Sequence, residues 1–566
     1  MKIYLFIFTV IDSSEIRRIA INSIISLLFL NSFCLKAQVL NKEEIIADLR
    51  QMVDIIEATH TDPYYFGGGK LAFHRRFQEL LTSIPEQGMT INNFAEITQP
   101  FLAKIGDGHT YIIPPNWYSD QRLGLPLELK VIEKEMYVSG VYSEKYKFLL
   151  NSILLEVEGI SVNELLERQK LILAAENEYH NLRRLIDGLA SLVKLKLLLP
   201  EIADIKILKA KFKDPDGNTF QISFVLNDLE RKSIITNNSS ISLPAIKKSD
   251  FVFDYIDEDK KTILLRIEDM QTYRECHEHW RFYGNYYEEL ARKTYERFHE
   301  KPAMANLNLV IDNLPSATEC FRDLVITMKN DKTENLIIDL RKNPGGVSNI
   351  TEILMYFLYG KEKIIDVRNR SYQIRKHSEI YYQYNPGEKF DPISASRTLP
   401  ITINDYDFEE EKRYLSSKNS EYKRVQILKE LDEMASHMPT FNREYLKGKY
   451  EGLYTPKNVV VLTTERTFSS AFWMLQYFAK SNAIIVGTPS GQAPNTFSDQ
   501  NPFELKNSGL NFYLTYKMGY SFPELDDTID VLMPDYLLTY DKLKSYNFDP
   551  NAEVIYALEV LNQIRN

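Results

Sequence analysis

The passage from Asn458 to Lys480 constrains the fold more than any other part of this chain. Asn458-Val-Val-Val-Leu-Thr-Thr is β-branched and apolar without alternation, the pattern of a strand buried on both faces of a parallel sheet. Phe472-Trp-Met-Leu-Gln-Tyr-Phe-Ala-Lys contains no breaker and carries bulky apolar side chains on most of its surface, which predicts a buried helix. Between them Glu465-Arg-Thr-Phe-Ser-Ser-Ala must turn the chain. A serine on such a turn, Ser469 or Ser470, has its hydroxyl at a helix N-terminus. There the orphan N–H groups and the positive end of the dipole favour a developing oxyanion. An N-capping serine without chemistry fits the same pattern.

Two further segments bear on that choice. Leu336-Ile-Ile-Asp-Leu-Arg-Lys-Asn-Pro-Gly-Gly346 is an apolar strand running into a turn that leaves backbone N–H groups uncovered and allows positive φ. It can supply oxyanion donors or be a tight strand exit, and it is not a phosphate loop, because no Gly-Lys-Ser/Thr follows. Ile105-Gly-Asp-Gly-His-Thr-Tyr places His109 between glycine and threonine after a predicted helix. Histidine is the side chain best suited to take a hydroxyl proton near neutral pH, although a lone loop histidine is commonly only a surface residue.

Together these segments resemble the C-terminal-processing (tail-specific) and tricorn-core family of serine peptidases. The motifs stand in the family's order as Asp107-Gly-His-Thr110, Asp339-Leu-Arg-Lys-Asn-Pro-Gly-Gly346, Thr467-Phe-Ser-Ser-Ala471, Val486-Gly-Thr-Pro-Ser-Gly491 and Pro534-Asp535. The resemblance implies an α/β chain: a ClpP/crotonase-like catalytic domain, a helical N-terminal region and a degenerate PDZ-like β region. The expected divisions are a signal peptide at 1–38, helices at 39–118 carrying His109, the PDZ-like region at 119–240, and the peptidase domain at 241–566. Within the last, a charged, Tyr-rich stretch at about 367–450 lacks strong strand signals and reads as an insertion, either capping the site or making a solvated excursion.

The resemblance also implies the chemistry. Members with a Ser/Lys dyad carry a lysine in a Gly-Lys-Gly turn downstream of the serine; the corresponding stretch here is Gly491-Gln-Ala-Pro-Asn495. The tricorn-like branch uses histidine, for which His109 is the equivalent, and an acid from the last strands. Glu524-Leu-Asp-Asp-Thr-Ile-Asp530 offers Asp526, Asp527 and Asp530, with Asp527 placed first by analogy. Ser469 is then the expected nucleophile, His109 the base, and the N–H groups of Gly345 or Gly346 and of Ser470 the oxyanion hole. The expected partner is a peptide or protein substrate, and no cofactor is implied. The alternative is a catalytically silent relative that binds peptides or apolar ligands on the same fold. Acyl-thioester chemistry on a crotonase fold is a second rival, against which export counts.

Composition agrees. The chain has 566 residues, more than one core usually supports. A net charge of −10 argues against nucleic acid as a partner. Arg17-Arg18, the apolar run from Ile19 to Leu30 and Ala37 read as an export signal, which places the protein in the periplasm or cell envelope, or secreted. Cys34 offers a lipid-anchor alternative, though Phe33 before it is large. Beyond the leader, Cys276 and Cys320 remain, a candidate pair in an exported chain whose spacing fixes no geometry. Cys276-His277-Glu278-His279 invites a zinc reading, but no second Cys/His cluster completes a four-ligand set, so no metal is expected.

Asn41 is predicted to cap a helix with Ile45, Leu49, Met52, Val53 and Ile56 on one face, followed by helices around Phe73–Leu81 and Ile91–Ile105. From Leu125 to about Leu226 short apolar runs alternate with turns. Ile153-Leu-Leu-Glu-Val-Glu-Gly-Ile-Ser-Val resembles a PDZ signature with Glu158 in place of the usual asparagine.

Overall fold

A computed structural model describes residues 39–119, 124–202, 206–226, 233–247, 249–282, 288–384, 406–407, 420–526 and 528–565. The expected leader, with Cys34, and Asp527 lie outside the described residues. Among the described residues no helix is long and apolar enough to cross a membrane.

The layered α/β domain is built on a six-stranded sheet, in the order Phe251–Tyr255, Thr262–Ile267, Asn335–Asp339, Asn458–Thr463, Ile484–Gly487 and Tyr536–Leu537. All pairs are parallel except the first. Alternate side chains of the central strands go to opposite faces. Leu336, Ile338, Val459 and Val461 join the main core with the helices Asn349–Tyr359 and Ser470–Ala479. Ile337, Val460 and Leu462 pack against Val554, Ala557 and Leu561 of the C-terminal helix Ala552–Arg565. Both faces are covered, so the interiors of the central strands, Leu336 to Ile338 and Val459 to Leu462, are apolar at successive positions.

The stretch at about 367–450 departs from expectation. Tyr372–Lys376 is a strand, paired antiparallel with Asn511–Tyr520. The helices Ser420–Ser436 and Pro439–Lys447 put Ile427, Leu431, Ala435, Met438, Phe441 and Tyr445 into the main core. The described residues of these elements are therefore packed into the domain.

Asn41 caps Lys42–Thr59 through a reciprocal capping box with Glu44. The helices Gly69–Thr82 and Ile91–Ala103 follow. Their apolar faces share a core with Phe503, Leu505, Leu510, Phe512 and Leu514, which come from the hairpin Asn495–Glu504 and Asn511–Tyr520. Residues Tyr111–Ile112, just past His109, pair with Tyr513 and Phe512 of the same hairpin. The N-terminal helices are thus tied to the catalytic half by shared apolar burial and a short strand pairing.

Residues 127–225 form an antiparallel sheet whose main path runs Leu127–Ile132, Glu135–Val141, Ile153–Val157, Ile207–Lys213 and Thr219–Val225. Glu158 occupies a left-handed turn at φ 52°, a conformation asparagine adopts more readily. Its carboxylate accepts from the Lys209 N–H at 2.5 Å. The helix Glu178–Ala190, which the alternating pattern did not reveal, packs across this sheet through Tyr179, Leu182, Leu185, Ile186 and Leu189.

Candidate active site

The nucleophile turn is held by backbone-directed bonds to the neighbouring strand exit. Thr467 Oγ1 donates to Leu340 O at 2.9 Å, Thr464 Oγ1 donates to Arg341 O, and Phe468 N donates to Asn343 O at 3.2 Å. The exit itself is anchored by a buried ion network in which Arg341 bridges Asp339 at 2.8 Å and Glu553 at 2.6 Å. These restraints leave Ser469 at φ 53°, ψ −123°, a region an L-residue enters at a cost of about 1–3 kcal/mol. The sharp strand-to-helix turn that results resembles a nucleophile elbow, which lifts a hydroxyl clear of its own backbone. Ser469 Oγ makes no hydrogen bond to any described residue and faces a cavity of about 1330 Å³. Ser470, by contrast, is buried and engaged, donating to Gly346 O at 2.6 Å and lying 2.9 Å from Ser348 Oγ.

The Asn-Pro-Gly-Gly turn lies directly against this elbow. A Cβ on Gly345 would sit 2.7 Å from both Phe468 O and Ser469 Cβ, so only glycine permits the approach, and its φ of 99° demands glycine as well. Of the three expected oxyanion donors, Gly345 is corrected: its N–H is already donated to Asn343 Oδ1 at 2.9 Å. The N–H groups of Gly346 and Ser470 carry no hydrogen bond to described residues and remain for an oxyanion. Ser469 N–H is also taken, by Gln492 Oε1 at 2.5 Å.

The loop at Asp107-Gly-His109 docks beside the elbow. Asp107 is its organiser: it accepts from His109 N at 2.8 Å and from Thr110 Oγ1 and Thr515 Oγ1 at 2.5 Å each. Burial opposes its charge, but His60 beside it, together with His109 and the Thr110 hydroxyl, holds the carboxyl down at about 2. The His109 ring is buried and stacks on Phe468, the residue before the serine, with centroids 4.7 Å apart. No hydrogen bond joins His109 Nε2 to Ser469 Oγ. His109 and Ser469 therefore line one cavity without direct contact, a looseness common at sites where hydrogen bonds tighten only on substrate binding.

The carboxylate beside the His109 ring comes from an unexpected place. His109 Nδ1 lies 3.0 Å from Glu176 Oε1, with the carboxylate off the line of the ring N–H. The second oxygen, Oε2, accepts from Ala493 N at 3.3 Å. Burial works against a charged His109, yet Glu176 and Asp107 together raise its pKa above the ordinary value. Asp527 lies outside the described residues. Its neighbours Asp526 and Asp530 are exposed; Asp526 accepts from Thr528. Glu176 precedes Asn177, whose Oδ1 accepts from His180 N and whose Nδ2 reaches Ser490 O and Asp530 O at 3.1 Å. Asn177 followed by apolar residues at 179, 182, 185, 186 and 189 is a readable helix start. Nothing local marks Glu176 itself, because only tertiary packing brings it to His109.

Asp107, His109 and Glu176 are also the one group among the described residues whose ligand atoms lie close enough to share a metal. The Asp107 oxygens there are already engaged by N–H and O–H donors. In and just before Cys276-His277-Glu278-His279 the acids serve packing: Glu275 accepts from Ser316, Ala317 and Thr318 at the start of one helix, and Glu278 accepts from Thr440 at the start of another. Cys276 and Cys320 are both free thiols, so the candidate pair is not a disulfide.

Residues 300–535 match the family described as peptidase family S41. The fold is similar to that of mature CPAF, at 14% identity and a TM-score of 0.52, covering 90% of this chain and 96% of that one. It is similar also to mature CPAF complexed with lactacystin, at 14% identity and a TM-score of 0.50, covering 92% and 98%. At that identity the likeness is one of fold. No curated protein sequence matches the chain. The family match spans the glycine turn, the elbow and Pro534-Asp535, and residues 300–535 are thereby a peptidase S41 domain, that of a serine-type peptidase.

Proposed function

We propose that this protein is an exported peptidase that hydrolyses peptide bonds through an acyl-enzyme on Ser469, with His109 as general base and Glu176 as the acid that orients it. The observation that carries the reading is the contrast between adjacent serines. Ser469 sits at a strained elbow with a free hydroxyl facing the cavity, whereas Ser470 is tied to Gly346 and Ser348.

Ser469 Oγ attacks the substrate carbonyl as His109 Nε2 takes its proton. The carbonyl oxygen moves toward the N–H groups of Gly346 and Ser470, which point from a fixed turn and a helix N-terminus and need no reorganisation. Glu176 fixes the imidazole so that Nε2 faces the serine, and it stabilises the imidazolium that forms. The proton then passes to the leaving amine. A water, activated by the same imidazole, releases the acyl group.

Labelling with a fluorophosphonate tests this directly. Wild-type protein takes up the probe at Ser469, Ser469→Ala does not, and a wild-type protein that fails to label would instead be a silent peptide-binding relative. Export is tested separately by fractionation of cells producing the full chain, with a cytoplasmic location counting against it.

A further inference from the structure

The two N–H groups left for the oxyanion lie at the starts of two helices that run side by side, Asn349–Tyr359 and Ser470–Ala479. The acyl carbon held between Ser469 Oγ and those donors carries the α-carbon of the residue before the scissile bond. That residue's side chain must therefore leave within the first turn of these helices. Val347, Ser348, Phe472 and Trp473 line the cavity there. One turn beyond Ser348, roughly 6 Å along the axis, the same cavity reaches Glu352.

Glu352 is only 6% exposed. Its Oε1 accepts from Tyr477 OH at 2.8 Å, while Oε2 has no hydrogen-bond partner. Burial pushes its carboxyl up, against the pull of Arg368 and of the Tyr477 and Trp473 side chains. Arg368 also lines the cavity but is paired with Glu430 at 2.7 Å, and Glu433 faces the cavity nearby. Three acids, Glu352, Glu430 and Glu433, thus line the cavity together with Arg368. An acceptor that is buried, short of a donor and set beyond apolar walls suits a long side chain with an apolar stem and a cationic head.

We propose that this pocket receives the side chain preceding the scissile bond and selects lysine or arginine there, with Glu352 as the specificity-determining residue. The inference rests on the active-site reading above. It is tested with peptides that differ only at that position, together with aryl phosphonate probes carrying Lys, Leu or Glu in the same place.

Wild-type enzyme should favour Lys or Arg over Leu by roughly 10–100-fold in kcat/KM, the worth of one charge-assisted hydrogen bond. Glu352→Gln should bring that ratio toward one, read on protein that still labels at Ser469. If Glu352→Gln does not fold, the wild-type ratio decides alone. Labelling at Ser469 without a basic preference, or a ratio unchanged in Glu352→Gln, overturns this inference and leaves the active-site reading intact. Failure of wild-type protein to label overturns the active-site reading, and this inference with it.

Discussion

His109 Nδ1 and Glu176 Oε1 stand 3.0 Å apart, and the two residues arrive from different parts of the fold. His109 ends the N-terminal helices, while Glu176 lies just before the helix Glu178–Ala190 that packs on the antiparallel sheet. Their meeting point is the elbow of a third unit: Phe468 contacts the rings of both His109 and His180. The geometry of the proposed proton transfer is thus set by three packed pieces, which makes it sensitive to changes that never touch the serine.

The first prediction concerns pH. The carboxylates of Glu176 and Asp107 raise the His109 pKa despite burial, so pairing stabilises the folded chain below the unfolded value of about 6.5. That contribution is lost as pH rises through the raised folded value. Catalysis needs the neutral imidazole, so kcat/KM should rise with pH through a midpoint above about 6.5. Glu176→Gln should move that midpoint to lower pH and reduce kcat on the order of 10⁴-fold, the usual loss when a triad acid becomes its amide. A midpoint that does not move in Glu176→Gln would remove Glu176 from the site.

The second prediction separates the adjacent serines. Ser469→Ala should lose about 10⁶-fold in kcat, and His109→Ala nearly as much, with the double mutant no worse than either, because the pair acts as one unit. Ser470→Ala should keep substantial activity, since its hydroxyl is already engaged by Gly346 O and Ser348 Oγ. Ser469→Gly should unfold at higher denaturant than Ser469→Ala, by about 1 kcal/mol, because glycine tolerates φ 53° and alanine does not. Equal stabilities would mean the elbow stores no backbone strain.

Much of this site was legible because its groups are encoded locally. The buried strand, the glycine turn and the elbow each draw their shape from neighbours in sequence, so the segments carrying Ser469, Ser470, Gly346 and His109, which the structure brings together, could be singled out before the fold was known. Gly345 was misassigned because its N–H is claimed by Asn343, two residues away, through a side-chain turn that the Asn-Pro-Gly-Gly string does not distinguish from a free one. Glu176 stayed hidden for a different reason. An acid before a helix cap is common, and only packing of the helix Glu178–Ala190 against the elbow gives it a role. The strand Tyr372–Lys376 escaped notice because its burial is partial and its pairing partner lies far along the chain.

Gly108 provides the third prediction. Its φ is not in the left-handed region, so alanine is acceptable to the backbone. A Cβ there would nonetheless lie 2.8 Å from His180 Cε1 and 3.0 Å from Glu176 Cγ and Oε1. His180 is buried and stands against Phe468, so the strain falls on Glu176 or on the His109 loop. Gly108→Ala should cost about 1–3 kcal/mol of stability. It should also lower kcat about 100-fold, the usual effect of a displacement near 1 Å at a catalytic group. Normal turnover in Gly108→Ala, with the expected destabilisation, would mean that the loop relaxes without moving the base.

The last prediction is that no C-terminal fragment carrying the elbow is active without the N-terminal helices. Proton transfer needs His109 and Ser469 within about 2.6–3.2 Å in the reacting complex, and His109 belongs to the N-terminal part. The dependence also runs the other way. Phe503, Leu505, Leu510, Phe512 and Leu514 of the hairpin are buried against Leu49, Phe73 and Phe94 of the helices. Asp48 of the first helix accepts from Asn507 N and Ser508 N at 2.9 and 2.8 Å. Removing the helices would expose that apolar face and strip the backbone of those acceptors. Thr515, whose hydroxyl donates to Asp107, would lose its partner as well. A fragment starting near residue 241 should therefore aggregate or unfold at markedly lower temperature, and should neither label with a fluorophosphonate nor cleave peptide. Adding the N-terminal part in trans should restore labelling only if the helix–hairpin core re-forms. A soluble, labelled C-terminal fragment would show that Ser469 is activated by a base within its own domain, and would displace His109 from the mechanism.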